Sequence, residues 1–257
     1  MGGLAIARLS IIETMRRKEF YVILVLVVGL ALWMQFMDIS SSAAGRFAKD
    51  IVMQVTWLVS FGLAVPLAAR QITSDVEQKT VYVFMSRPIH RWQYVFGRAA
   101  GAAAASAACF GSLFFVLVLM LLTKGVHNLA DASLWQAFAL QVTALVMLCA
   151  ITVFFSTRAT SAGAVTFSLL LLIMMRYGGP SILSRIETIA SHGFVREAAW
   201  AAYLAMPHFE FFNISQRVVH GWGPLPLGLF AQILAYGTAY SIFVIALAAL
   251  LFRRRWL

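Results

Sequence analysis

Six long stretches of this chain carry no Asp, Glu, Lys, Arg or His, and no other feature restricts its fold as strongly. They run from Phe20 to Met37, Ile51 to Ala69, Ala99 to Thr123, Leu134 to Thr157, Ala159 to Met175 and Leu227 to Phe252. Runs near 20 apolar residues match the hydrocarbon core of a bilayer, about 30 Å thick. Lipid offers the backbone no hydrogen-bond partners, so each run must pair its own amides as a helix. An outer-membrane barrel is excluded, because its strands alternate polar and apolar residues over about ten positions. The reading is an all-α integral membrane protein, a single domain over residues 1–257 with six spans.

Charge follows the same segmentation. Hydrophobic residues make up 61% of the chain and charged residues 12%, against about 25% charged in soluble domains. The net charge of +10 would suggest nucleic acid in a soluble protein. Here the basic residues fall between the apolar runs, where they mark cytoplasmic loops. With the N-terminus inside, that side holds 13 of the 20 basic residues and nets +9, against +1 outside. Six spans bring Arg253, Arg254 and Arg255 back to the cytoplasm. The first run imitates a signal peptide, with Arg16, Arg17 and Lys18 ahead of it. Its leader and apolar stretch are both too long for that, and it reads as a retained helix. Cys109 and Cys149 lie inside apolar runs and read as small packing residues rather than a disulfide framework.

Three regions do not span. Residues 4–19 pattern as an amphipathic interfacial helix, with Leu4, Leu9, Ile12 and Met15 on one face and Ser10, Glu13 and Arg17 on the other. Residues 70–98 form a cytoplasmic loop. Within it, Ser74-Asp75-Val76-Glu77 reads as a capping box that starts a short helix reaching about Met85, and Pro88 ends it. Residues 177–226 are external and apolar in places too short to span, which predicts re-entrant helices before the last span. Gly178-Gly179-Pro180 is expected to terminate the fifth span.

The chemistry-bearing residues are sparse. With no Asp, Glu, Lys, Arg or His in any apolar run, no proton or sodium relay is visible there. The neutral polar residues Gln54, Gln141, Gln232, Tyr236 and Tyr240 are candidates for lining a substrate path, or for hydrogen bonds between helices. No phosphate-binding loop of the G-x-x-x-x-G-K-[ST] type occurs, so any nucleotide hydrolysis must come from another chain. No catalytic residue and no metal site is expected; His192, His208, Glu210 and His220 follow no ligand spacing. The stripe Gly97, Gly101, Ala105 suits close helix packing.

The loop at 70–98 carries a family signature. Glu77, Thr80, Ser86, Pro88, Arg91 and Gly97 stand in the order of the ABC-2 type permease family: acidic residue, Gly-Thr, Ser-x-Pro, Arg, then Gly-Lys. Lys79 stands where the family has Gly, His90 where it has Ser, and Arg98 where it has Lys. Met206-Pro207-His208-Phe209 is similar to a Pro-containing stretch before the last span in that family. The resemblance implies that the loop is a coupling helix seated in a cytoplasmic ATPase, with Asp75, Glu77, Lys79, Thr80, Tyr82, Phe84, Arg87, Pro88 and Arg91 as its contacts. It further implies two ATPase subunits that bind ATP and magnesium, a second permease copy or homologue, and a bacterial inner membrane. The chain itself then holds no cofactor, contacts lipid and has no nucleic-acid partner. The expected function is outward movement or extraction of a substrate. The alternative is a non-transporting anchor that transmits force to a periplasmic partner.

Overall fold

A computed structural model describes residues 8, 9, 12, 13, 25, 29, 42–79, 90–123, 132–189 and 193–253. The first apolar run, Phe20 to Met37, and residues 80–89 thus lie outside the described residues, apart from Val25 and Gly29. The described residues form α1 (Ser42–Glu77), α2 (Arg91–Thr123), α3 (Ala132–Ser156), α4 (Ser161–Ile189), α5 (Gly193–Ala205), a 3-10 turn (Phe209–Phe212), α6 (Ser215–His220) and α7 (Leu227–Arg253). Five of these helices, α1 to α4 and α7, are long and apolar enough to cross a membrane.

The helix α3 is the axis of the bundle. Its apolar residues surround it on every side, which suits a helix enclosed by protein or lipid. Leu140, Leu145, Met147, Leu148 and Val153 are fully enclosed between α1, α2, α4 and α7. On α2 the buried residues Tyr94, Arg98, Ala102, Ala105 and Cys109 recur at helical spacing. The small stripe Gly97, Gly101 and Ala105 is therefore turned into this subunit's own bundle. Both cysteines are free and buried.

The outward faces are as apolar as the core. On α4, Phe167, Leu170 and Ile173 are 56%, 60% and 57% exposed, and on α7 Ile242, Phe243 and Leu250 are comparably open. Water would penalise such contiguous stripes, whereas lipid does not. Between α2 and α7 an apolar groove of about 920 Å³ is lined by Trp92, Phe96, Ile242, Ile245 and Leu250, with His90 and Arg91 beside them.

Two sequence expectations about helix ends are corrected. Ser74 does not start a helix; α1 runs unbroken from Ser42 to Glu77, and the Ser74 carbonyl accepts the Gln78 amide at 2.9 Å. The capping-box letters are outweighed by the packing of Ile72 and Asp75, which stay buried on the helix face that continues from Ala68. Likewise α4 passes through Gly178-Gly179-Pro180 and ends at Ile189. Proline removes one hydrogen bond from a helix without ending it where packing holds the helix in place. The helices are thus longer than the uncharged runs, and Arg70, Asp75, Arg98 and Arg176 sit within helical turns rather than in loops.

Candidate functional site

At one end of the bundle α1 and α2 are joined by a buried polar cluster. Arg98 is 2% exposed and Asp75 5%. The Arg98 Nη2 donates to Asp75 Oδ1 at 2.6 Å, and Nη1 donates to Gln71 Oε1 at 3.1 Å and to Glu13 Oε2 at 3.0 Å. The Tyr94 hydroxyl donates to Asp75 Oδ2 at 2.5 Å. Tyr94 also stacks on Phe252, centroids 5.7 Å apart, which brings the end of α7 into the same layer. A guanidinium presents five N–H donors in a rigid planar fork, so its separate nitrogens reach acceptors that the single nitrogen of an ammonium does not span. Arg98 therefore links α1, α2 and the N-terminal segment through Glu13.

The chain leaves this cluster at residue 78 and returns at residue 90. Glu77, Lys79 and Arg91 are exposed there. Lys79 has φ +58° and donates its amide to the Val76 carbonyl at 3.2 Å, the left-handed cap that closes a helix and that glycine adopts most easily. Asp75, expected to face a partner, is instead turned inward with both carboxylate oxygens engaged. Thr80, Tyr82, Phe84, Arg87 and Pro88 lie outside the described residues.

At the opposite end, residues 206–226 fold down against the bundle. Phe209 and Phe212 are each 2% exposed. Phe209 meets Phe61 of α1 edge-on at 6.4 Å, and Phe212 stacks on Tyr236 of α7 at 6.3 Å. The Phe212 ring lies so close to Gly237 that a Cβ there would come within 2.8 Å of it. Gly237 is ten residues into α7, about 15 Å along the helix. The 3-10 turn therefore enters the bundle instead of capping it. Gln136 of α3 fastens the segment: its Nε2 donates to the Leu225 carbonyl at 3.1 Å and its Oε1 accepts the Leu225 amide at 2.7 Å. Gln136 was not singled out in the sequence, because a glutamine at a helix start signals nothing until its backbone partner, 89 residues away, is known.

The five candidate pathway residues separate. Gln54 and Gln141 line one small cavity of about 40 Å³ with Trp57, Phe138, Arg176 and Asn213. Tyr236 belongs to an aromatic cluster, its hydroxyl accepting the His208 amide at 3.2 Å. Tyr240 donates to the Ala205 carbonyl at 3.0 Å. Gln232 is exposed on α7 and joins neither group. His208 is buried, stacks on Phe211 at 5.4 Å and lies edge-on to Tyr203 at 4.5 Å. Burial lowers its pKa below the usual histidine value, with nearby Glu210 pulling the other way.

Stacked apolar helices with lipid-suited outer faces, five of them long and apolar enough to cross a membrane, define a multi-pass membrane protein. The chain belongs to the ABC-2 family: the sequence model of the ABC-2 family transporter protein matches residues 4–256. No curated relative matches it. As a member of that family it is a permease subunit of an ABC transporter.

Proposed function

We propose that this permease moves its substrate outward across a bacterial inner membrane, driven by two separate ATPase subunits that dock on residues 70–98. A second permease copy or homologue completes the pathway, both termini face the cytoplasm, and ATP and magnesium are bound by the ATPases. Residues 4–19 lie along the inner surface of the bilayer as an interfacial helix. The exposed flank of Leu9 and Ile12, at 46% and 42%, supports that placement. The plunge of Phe209–Phe212 toward Gly237 supports reading 177–226 as a re-entrant gate on the outer side.

The observation that carries the coupling role is the Asp75–Arg98–Tyr94 cluster. It joins the last turns of α1 to the first turns of α2 where the docking segment leaves and re-enters the bundle. Force applied to that segment reaches two spans as one body. In this reading Glu77, Lys79 and Arg91 meet the ATPase together with Thr80, Tyr82, Phe84, Arg87 and Pro88, and Asp75 positions the site without touching the partner.

The test is co-purification of the tagged chain with its ATPase, followed by measurement of ATP hydrolysis in proteoliposomes. Glu77→Lys is expected to lower permease-stimulated hydrolysis at least fivefold while membrane insertion stays at the wild-type level. Undiminished stimulation in that variant would sink the docking assignment.

A further inference from the structure

The small cavity beside Trp57 is lined by two side chains that each carry a buried nitrogen donor with no partner among the described residues, Arg176 and Gln141. The Arg176 guanidinium carbon sits 3.6 Å over the Trp57 ring, and Trp57 in turn stacks on Phe61 at 4.5 Å. A long basic side chain near a span end ordinarily snorkels outward. Arg176 is held inward by the aromatic face, which satisfies its charge in part, and its guanidinium is also engaged by the neighbouring Tyr177. Its Nε has no hydrogen-bond partner among the described residues.

A second donor points the same way. Gln141 of α3 is 8% exposed, and its Nε2 also has no partner. Both residues line the same cavity. Asn213 stands at its rim with its Oδ1 already taken by the Ser215 hydroxyl at 2.7 Å and the Ser215 amide at 3.4 Å, so its amide nitrogen is what it can still offer. None of the described lining residues is acidic. Water could satisfy these donors, but it brings hydrogens that need acceptors of their own. An anionic oxygen brings none and is drawn to a desolvated guanidinium. At about 40 Å³ the cavity has room for about three water-sized groups, the size of a carboxylate or of one face of a phosphate.

We propose that Arg176 and Gln141, with Asn213 at the rim, form an anion site that takes the carboxylate or phosphate end of a ligand. The ligand is an anionic lipid headgroup or a free anionic solute. The use of this site in transport rests on the permease reading above, whereas binding needs no ATPase. A failed titration and a failed coupling assay are therefore separate results.

The experiment is calorimetric titration of the purified full chain in neutral detergent with dihexanoyl phosphatidic acid, dihexanoylglycerol and inorganic phosphate. Saturable binding of phosphatidic acid, and none of the uncharged diacylglycerol, is expected. Arg176→Gln and Gln141→Leu should each weaken it at least tenfold, Arg176→Lys should fall between, and Arg217→Gln should stay within twofold of wild type. Saturation by inorganic phosphate as well assigns the site to free anions; saturation by phosphatidic acid alone assigns it to lipid. Without ligand, Gln141→Leu should unfold no lower than wild type, because it removes an unpaired donor. Absence of saturable binding to either anion would overturn the proposal. So would affinities unchanged in both Arg176→Gln and Gln141→Leu, or a lowered melting temperature in Gln141→Leu with binding intact.

Discussion

Arg98 Nη2 lies between the two carboxylate oxygens of Asp75, 2.6 Å from Oδ1 and 2.5 Å from Oδ2, with side-chain exposures of 3% and 7%. A buried pair of this kind is costly to break from one side, because the remaining charge loses its partner. Arg98→Met is expected to destabilise the chain by about 3–5 kcal/mol. The double variant Asp75→Leu, Arg98→Met should recover part of that loss. Thermal unfolding of the four proteins in detergent gives the cycle; strict additivity would show that the pair is not coupled. Arg98→Lys should also lose stability, since a single ammonium nitrogen lacks the planar fork whose two nitrogens reach Asp75 on one side and Gln71 and Glu13 on the other.

Lys79 holds a left-handed backbone at the end of α1. A residue with a Cβ pays roughly 1 kcal/mol for that conformation, and glycine does not. Lys79→Gly should therefore raise stability by about 0.5–1 kcal/mol if the exposed ammonium makes no compensating contact. A melting temperature at or below wild type would show that the side chain contributes more than the backbone costs.

Gly237 admits no side chain without movement: a Cβ would meet the Thr143 methyl at 2.6 Å and the Phe212 ring at 2.8 Å. Ring and helix are both stiff, so Gly237→Ala should cost about 1–3 kcal/mol. Gly228, with nothing within 4 Å of its Cβ position, is the control, and Gly228→Ala should be neutral or slightly stabilising. Limited proteolysis should show residues 206–226 released first in Gly237→Ala.

The pH response of the same region has a definite sign. His208 is buried between Tyr203, Phe211 and Tyr236, and its pKa is pushed below the unfolded value of 6.5, by burial first, against the pull of Glu210. The unfolded chain then takes up the proton first as pH falls. Stability contributed by neutral His208 is fully present above about pH 6.5 and is lost as pH falls toward and through the lowered folded pKa. His208→Gln should flatten the melting-temperature profile between pH 7 and 5. An equally steep profile in the variant would assign the dependence to other groups.

Much of the architecture was legible from the uncharged runs, because lipid leaves the backbone few alternatives. Four of the six runs coincide with the cores of α1 to α4, and the last run with α7. The first lies outside the described residues. Helix ends were less legible. Ser74 and the Gly178-Gly179-Pro180 triplet carry local stop and start signals, yet continuous packing overrides them. The polar residues were found by type but not by grouping. Gln54 and Gln141 share a cavity while Gln232 faces outward, and a sequence gives no angle between helices from which to tell them apart. Arg176 stands one residue beyond the apolar run that ends at Met175, so in the sequence it reads as an external loop cation rather than as part of the helix.

Pro66 lies inside α1 and cannot donate to the carbonyl of Gly62, one turn back. The eleven residues beyond it, about three turns, carry Gln71 and Asp75, both held by Arg98. The lower limb of α1 is thus tied to its neighbour by Arg98 while one rung of its own helix is missing above it. A push at Glu77 should pivot α1 about this missing rung before it can shear the two helices apart, so that helix behaves as a jointed crank rather than a straight rod.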